Sequence, residues 1–173
     1  MVKTEMDTFG LFEDINLNLM TENQSLADIT SKTLIGLEKE FKKNETKLVI
    51  VQGDTSTAFS AALAAFYNKI PIGHVEAGLR TNNLLDPYPE EANRRLISEI
   101  SSLNFAPTNQ AKDNLKSSFI RNNVYVTGNT VIDAVNLISE DIKEIYLSDL
   151  QVSSVFKPKN VNLKSEGKYS FNN

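Results

Sequence analysis

The 173-residue chain reads as an α/β domain built on a parallel sheet with flanking helices. Two observations predict this. Short, β-branched apolar runs alternate with helix-patterned stretches from residue 47 to about residue 145, the order expected when each strand is followed by a crossover helix. The first such run, Leu48-Val49-Ile50-Val51, is apolar throughout, as in a buried parallel strand.

The elements follow in chain order. Asp14-Ile15-Asn16-Leu17-Asn18-Leu19 alternates polar and apolar residues, which predicts a short half-buried strand. Ser25 is placed to cap a helix, with Asp28 in its first turn. Leu26, Ile29, Thr33, Leu34, Leu37 and Phe41 keep helical spacing, and Lys39, Lys42 and Lys43 suit the helix end. After the 47–52 strand, Ala58 to Tyr67 is an Ala-rich helix suited to close packing on a sheet. Ile70 to Val75 is a strand candidate interrupted by Pro71 and Gly73. Thr81 to Tyr88 is a loop, and Pro89 at the first helical position opens a helix with Glu90 and Glu91 in its first turn. Leu103 to Ala106 is a strand ended by Pro107, Thr108 caps a helix to about Ser117, and Asn123 to Thr127 is a further strand. Gly128-Asn129-Thr130 then turns into a helix carrying Val131, Ile132, Val135, Leu137 and Ile138. The pattern fails after Tyr146, so residues 1–146 are read as the α/β domain and 147–173 as a divergent tail.

Composition narrows the function. A net charge of −4 argues against a nucleic-acid module, which needs clustered Lys and Arg. The chain has no cysteine and one histidine, which excludes thiolate metal sites and counts against a His-rich one. No apolar run has the length of a membrane span, and residues 1–7 lack a signal-peptide core. These features predict a soluble, cytoplasmic protein with no metal.

Three stretches carry the chemistry: Gly53-Asp54-Thr55-Ser56-Thr57, His74-Val75-Glu76-Ala77-Gly78-Leu79-Arg80-Thr81, and Pro89-Glu90-Glu91-Ala92-Asn93-Arg94-Arg95. Asp54 falls just beyond the carboxyl end of a strand, where open α/β sheets bind ligands. Thr55 and the following N–H groups suit a phosphate or a sugar hydroxyl, and capping the next helix is the structural alternative. Glu76 also follows a strand. Arg80 has the fork geometry to grip a phosphate or to hold Glu76. His74 reads equally as a site residue or as a satisfied structural histidine. Glu90 and Glu91 suit a helix dipole, and Glu90 is spaced for an i,i+4 pair with Arg94. Together the residues describe acid–base chemistry on a polar, anionic ligand, without specifying the substrate.

The strings Gly-Asp-Thr, His-Val-Glu-Ala-Gly-Leu-Arg-Thr and Pro-x-Pro-Glu-Glu-x-Asn-Arg, in this order and spacing, resemble the non-hydrolysing UDP-N-acetylglucosamine 2-epimerases. Asn104-Phe105-Ala106-Pro107-Thr108, Gln110 to Leu115 and Val126 to Ala134 are similar too, so the resemblance runs from about Leu17 to Ala134. It implies an incomplete Rossmann-like sheet, most of the N-terminal domain of a GT-B (glycosyltransferase-B) fold with its active site between two domains. It implies interconversion of UDP-N-acetylglucosamine (UDP-GlcNAc) and UDP-N-acetylmannosamine by elimination and re-addition of UDP, in cell-envelope or capsule polysaccharide synthesis, with no cofactor. By the same resemblance Asp54, Glu76 and Glu90 are the functional carboxylates and Arg94 contacts substrate. Thr55, His74, Arg80 and Asn129 complete the candidate binding residues. The partners implied are the UDP-sugar and a second copy in a homodimer, or a complementing chain. The family's Gly-Thr-Arg-Pro-Glu loop with its strand, and its second domain, have no counterpart in these residues. The expectation is therefore low activity for this stretch alone, and a sheet with an unpaired edge and an exposed apolar slot. A non-catalytic nucleotide-sugar binding domain and a related GT-B glycosyltransferase are the alternatives.

Overall fold

A computed structural model of the chain describes residues 6, 10–120 and 123–136, together with the backbone of two short strands at 161–163 and 169–171. The chain divides into two compact units, residues 1–127 and 128–173.

In the first unit, α1 (Leu26–Lys43) is begun by a full capping box in which the Ser25 side chain accepts the Asp28 N–H while the Asp28 carboxylate accepts the Ser25 N–H. Then come β1 (Val49–Gln52), α2 (Ser56–Tyr67), β2 (Ile72–Val75), α3 (Glu90–Ile100), β3 (Leu103–Ala106), α4 (Asn109–Ser117) and β4 (Val124–Val126). The four strands form one parallel sheet in the order β1-β2-β3-β4. The α/β expectation holds, and β3 and α4 fall where the sequence places them, with the Thr108 hydroxyl accepting the Ala111 N–H. Pro71 sits just before β2 and contributes only its carbonyl, which accepts the Val49 N–H, so the proline costs the ladder nothing.

Some expectations are corrected. Residues 14–19 form no strand: the segment lies against α1, where a Cβ on Gly36 would stand 3.2 Å from Leu17 Cδ1. Pro89 is the N-cap residue of α3 rather than its first helical residue, and Glu90 takes that position. The Leu48–Val51 run is not enclosed on both sides: β1 is an edge strand, and Ile50 is 61% exposed.

Register explains that exposure. Side chains alternate along each strand, so Val49, Val51, Ile72, His74, Asn104, Ala106 and Val124 share one face. Helices α2 and α3 cover the Val51–Ile72 end with Ala58, Ala62, Ala65 and Ile97, and α1 packs on α2. Helix α4 covers Ala106 and Val124 with Ala111 and Leu115. Helices α1 to α4 therefore all lie on the same side of the sheet. The small side chains of α2, with Ala62 and Ala65 fully buried, let it lie close to the strands. The opposite face carries Ile50, Val75, Leu103, Phe105 and Tyr125, with the last two rings stacked at 6.1 Å.

In the second unit, residues 130–136 are helical, begun by Asn129, whose side chain accepts the Val131 N–H. Strands β5 (Val161–Leu163) and β6 (Tyr169–Phe171) form an antiparallel pair. The helix expected beyond residue 136 and the rest of the 147–173 tail lie outside the described residues.

The loop after β2 is locked onto α4. Gly78 has φ +93°, and a Cβ there would overlap the Ala111 carbonyl, while the Asn114 side chain donates to the Gly78 carbonyl at 2.9 Å. Gly78→Ala is expected to cost about 3 kcal/mol, from overlap with backbone plus a left-handed conformation. Urea denaturation should show a markedly lower midpoint, and an unchanged midpoint would refute the close approach.

Candidate functional site

The three motifs converge at the carboxyl ends of β1 and β2. Gly53 leaves β1 with φ +71°, and its N–H donates to the Val75 carbonyl at 3.0 Å. The turn brings Asp54 beside the start of α2, where the Thr55 hydroxyl accepts the Ala58 N–H at 3.1 Å. Thr55, not Asp54, is the helix cap, and its side chain remains exposed. Glu76 follows β2 with φ +67°. A non-glycine residue in the left-handed region is uncommon and is concentrated at functional sites. A Cβ on Gly53 would stand 3.6 Å from Glu76 Oε2, so Glu76 reaches across to the β1 turn.

Helix α3 holds Asp54 in two ways. Asn93 Nδ2 donates to the Asp54 carbonyl at 2.9 Å, and Arg94 Nη2 pairs with Asp54 Oδ2. The Arg94 side chain is 11% exposed and that of Asp54 is 24% exposed, so the pair lies well inside the surface. The Glu90–Arg94 pair that helical spacing allows does not form. Arg94 turns to Asp54 and, through Nη1 at 3.4 Å, to Glu91. Nor does Arg80 hold Glu76: its Nη1 donates to the Leu79 carbonyl at 2.8 Å, and its Nε has no partner. Burial lowers Arg80 from its ordinary value, with Glu91 opposing, but a guanidinium keeps its charge.

Among the described residues, the half-buried carboxylates of Glu76 and Glu90 have neither an ion-pair nor a hydrogen-bond partner. They remain available to a ligand, beside a guanidinium that is already occupied. No three His, Asp or Glu side chains among the described residues converge as a metal ion would require. Asn129 belongs to the second unit, where it begins the helical turn at 130.

His74 lies beneath the site. Its ring is fully buried, and Nε2 is 2.9 Å from the Gly53 carbonyl. A carbonyl only accepts, so Nε2 carries the proton. On the other side Ser98 Oγ is 3.5 Å from Nδ1, but this hydroxyl donates to the Arg94 carbonyl at 2.8 Å. The ring therefore braces the Gly53–Asp54 turn and presents no atom to solvent.

Glu91 is the residue that sequence reasoning passed over. It is fully buried. Oε1 accepts from Arg95 Nε at 2.8 Å, and Oε2 accepts the Thr81 N–H at 3.1 Å. Burial pushes this carboxyl up, but the bonds from Arg95 and Thr81 and the two arginine charges outweigh it, and the net direction is down. The signal available in the sequence was the pair of arginines at i+3 and i+4, which together fit Glu91 and not Glu90.

The His74 environment makes stability depend on pH. Burial lowers the ring below its ordinary value of 6.5; the Gly53 bond opposes this, Arg80 and Arg94 reinforce it, and Asp54 opposes it. With the folded pKa depressed, the unfolded chain takes up the proton first as pH falls. The contribution is complete above about pH 6.5 and is lost as pH falls towards the folded value. Urea midpoints measured from pH 7.5 to 5 should fall less steeply below pH 6.5 in His74→Gln than in the unaltered chain. Equal slopes would contradict the buried neutral ring.

Known proteins share this sequence pattern and fold. The profile of the UDP-N-acetylglucosamine 2-epimerase family matches residues 1–163, beyond the stretch whose motifs carry the resemblance. The curated UDP-N-acetylglucosamine 2-epimerase of Bacillus subtilis is 49% identical over 142 residues, which is 82% of this chain and 37% of that protein. The Neisseria meningitidis UDP-GlcNAc 2-epimerase, solved bound to UDP-GlcNAc, superimposes with a TM-score of 0.79 at 49% identity over 83% of this chain and 40% of its own. The Methanocaldococcus jannaschii enzyme, solved with UDP-GlcNAc and UDP, gives 0.77 at 39% identity over 83% of this chain and 39% of its own. The chain thus spans well under half the length of these relatives, and over that span it belongs to the UDP-N-acetylglucosamine 2-epimerase family.

Proposed function

We propose that this chain supplies one wall of a UDP-GlcNAc 2-epimerase site. The observation that carries the reading is the pair of uncommitted carboxylates, Glu76 and Glu90, beside the occupied Asp54–Arg94 pair. Epimerisation at the sugar C2 requires its proton to leave and to return on the other face. When the anomeric C–O bond breaks, UDP departs with the bonding electrons and the ring gains positive charge. Loss of the C2 proton then gives the 2-acetamidoglucal, and re-addition of UDP and a proton completes the exchange. Carboxylates near the ring stabilise that charge and handle the proton. Asp54, Glu76 and Glu90 fill these roles as a group. Arg94 orients Asp54, and Arg80 with Thr55 faces the anionic part of the ligand.

The same reading makes the enzyme a cytoplasmic homodimer, or one completed by a further polypeptide. Among the described residues no helix is long and apolar enough to cross a membrane.

The test uses a chimera in which residues 17–134 replace the corresponding stretch of the Neisseria meningitidis relative. Incubated with UDP-GlcNAc in D2O and followed by proton NMR, it should form the C2 epimer and take up deuterium at C2. Asp54→Asn in the chimera should lower the rate by about 100-fold or more, the scale on which lost electrostatic stabilisation is felt. A folded chimera that binds UDP-GlcNAc but gives neither epimer nor exchange would overturn the proposal.

A further inference from the structure

Arg94 has a choice of three carboxylates. Asp54 lies across the β1 turn, Glu91 is one position short of a helical turn before it, and Glu90 is a full turn before it. It takes the first two and leaves Glu90 alone. A guanidinium is planar, so fixing one end fixes the direction of the other. Glu91 is fully buried and its Oε1 is occupied by Arg95, which leaves Oε2 for the Thr81 N–H and Arg94 Nη1. The Arg94 side chain is itself mostly buried. Two carboxylates and two guanidiniums thus balance within one network, and Glu90 stays outside it.

We propose that Glu91 is a positioning residue: it holds Arg94 Nη1, so that Nη2 is aimed at Asp54 and Glu90 is kept free for the ligand. The proposal rests on the reading of this site as an epimerase wall, in which the carboxylates face the sugar. Loss of the Glu91 charge releases Nη1, and the nearest competing carboxylate on α3 is Glu90. Glu91 also fixes Thr81, where the loop leading to Pro89 and Glu90 begins. One buried carboxylate therefore sets the arginine and the start of the loop that ends at the free carboxylate.

Two measurements test it. The first is a double-mutant cycle in urea between Glu91→Gln and Asp54→Asn. Because the two carboxylates share Arg94, the double variant should depart from additivity by about fivefold or more in the unfolding constant. The departure should vanish in an Arg94→Met background. Additivity with Arg94 present would overturn the proposal, since a Glu91 that merely stabilised the loop would act independently of Asp54. If Glu91→Gln does not fold, Glu91→Gln with Arg95→Met, which removes opposite charges together, takes its place in the cycle. The second measurement, made in the chimera with the Neisseria meningitidis relative, compares dissociation constants for UDP-GlcNAc and for UDP by ligand-observed NMR. Glu91→Gln should weaken UDP-GlcNAc about fivefold relative to UDP, the size of a coupling within one charged network. Equal weakening of both, or of neither, would count against positioning. An unaltered chimera that binds neither ligand would sink the epimerase reading, while the urea cycle would still decide whether Glu91 governs Arg94.

Discussion

The Asp54–Arg94 ion pair, backed by Glu91, is the constraint on which the site depends. It joins the end of β1 to α3 across 40 residues of sequence. Removing one member would strand a charge inside the protein, which is far costlier than losing a surface pair. Asn93 adds a bond to the Asp54 carbonyl, and His74 holds the preceding carbonyl from below. The turn that presents Asp54 is therefore held at its side chain and at two backbone oxygens. Glu76 and Glu90 receive no such support, and that asymmetry separates the scaffold of the site from the groups available to a ligand.

Sheet topology puts these residues within reach of one another. Strands β1 and β2 are parallel neighbours, so their carboxyl ends emerge together, with the Gln52↔Val75 register placing Gly53 and Glu76 side by side. Helices α2 and α3 lie on the same face and direct their first turns to that end. Among the described residues no helix packs on the other face, which carries Ile50, Val75, Phe105 and Tyr125 beside Gln52.

Much of this was legible in the sequence, and the exceptions share a cause. Local signals read correctly where the physics is local: the Ser25 capping box, the Thr108 cap and the β3 run each involve residues within a few positions. The motif strings also identified the family. What the sequence hid were choices between partners. Glu90 and Glu91 are equivalent in helix-dipole terms, and only burial shows that Glu91 is consumed by Arg95 and Thr81. Helical spacing offers Glu90 to Arg94, but Asp54 prevails from a distant turn. His74, in the midst of a ligand-like motif, points into the protein because its strand alternates that position onto the helix-covered face. The Asp14–Leu19 alternation had the right period, but the segment packs on α1 through Leu17 rather than pairing with a strand.

The central claim is that the three motifs form a single ligand-binding surface at the ends of β1 and β2. Backbone amide NMR of the chain titrated with UDP-GlcNAc tests it most directly. The account predicts shifts concentrated at Gly53–Thr55, Glu76–Arg80 and Glu90–Arg94. Shifts confined instead to the groove between Leu17–Leu19 and α1, or absent at saturating ligand, would contradict it.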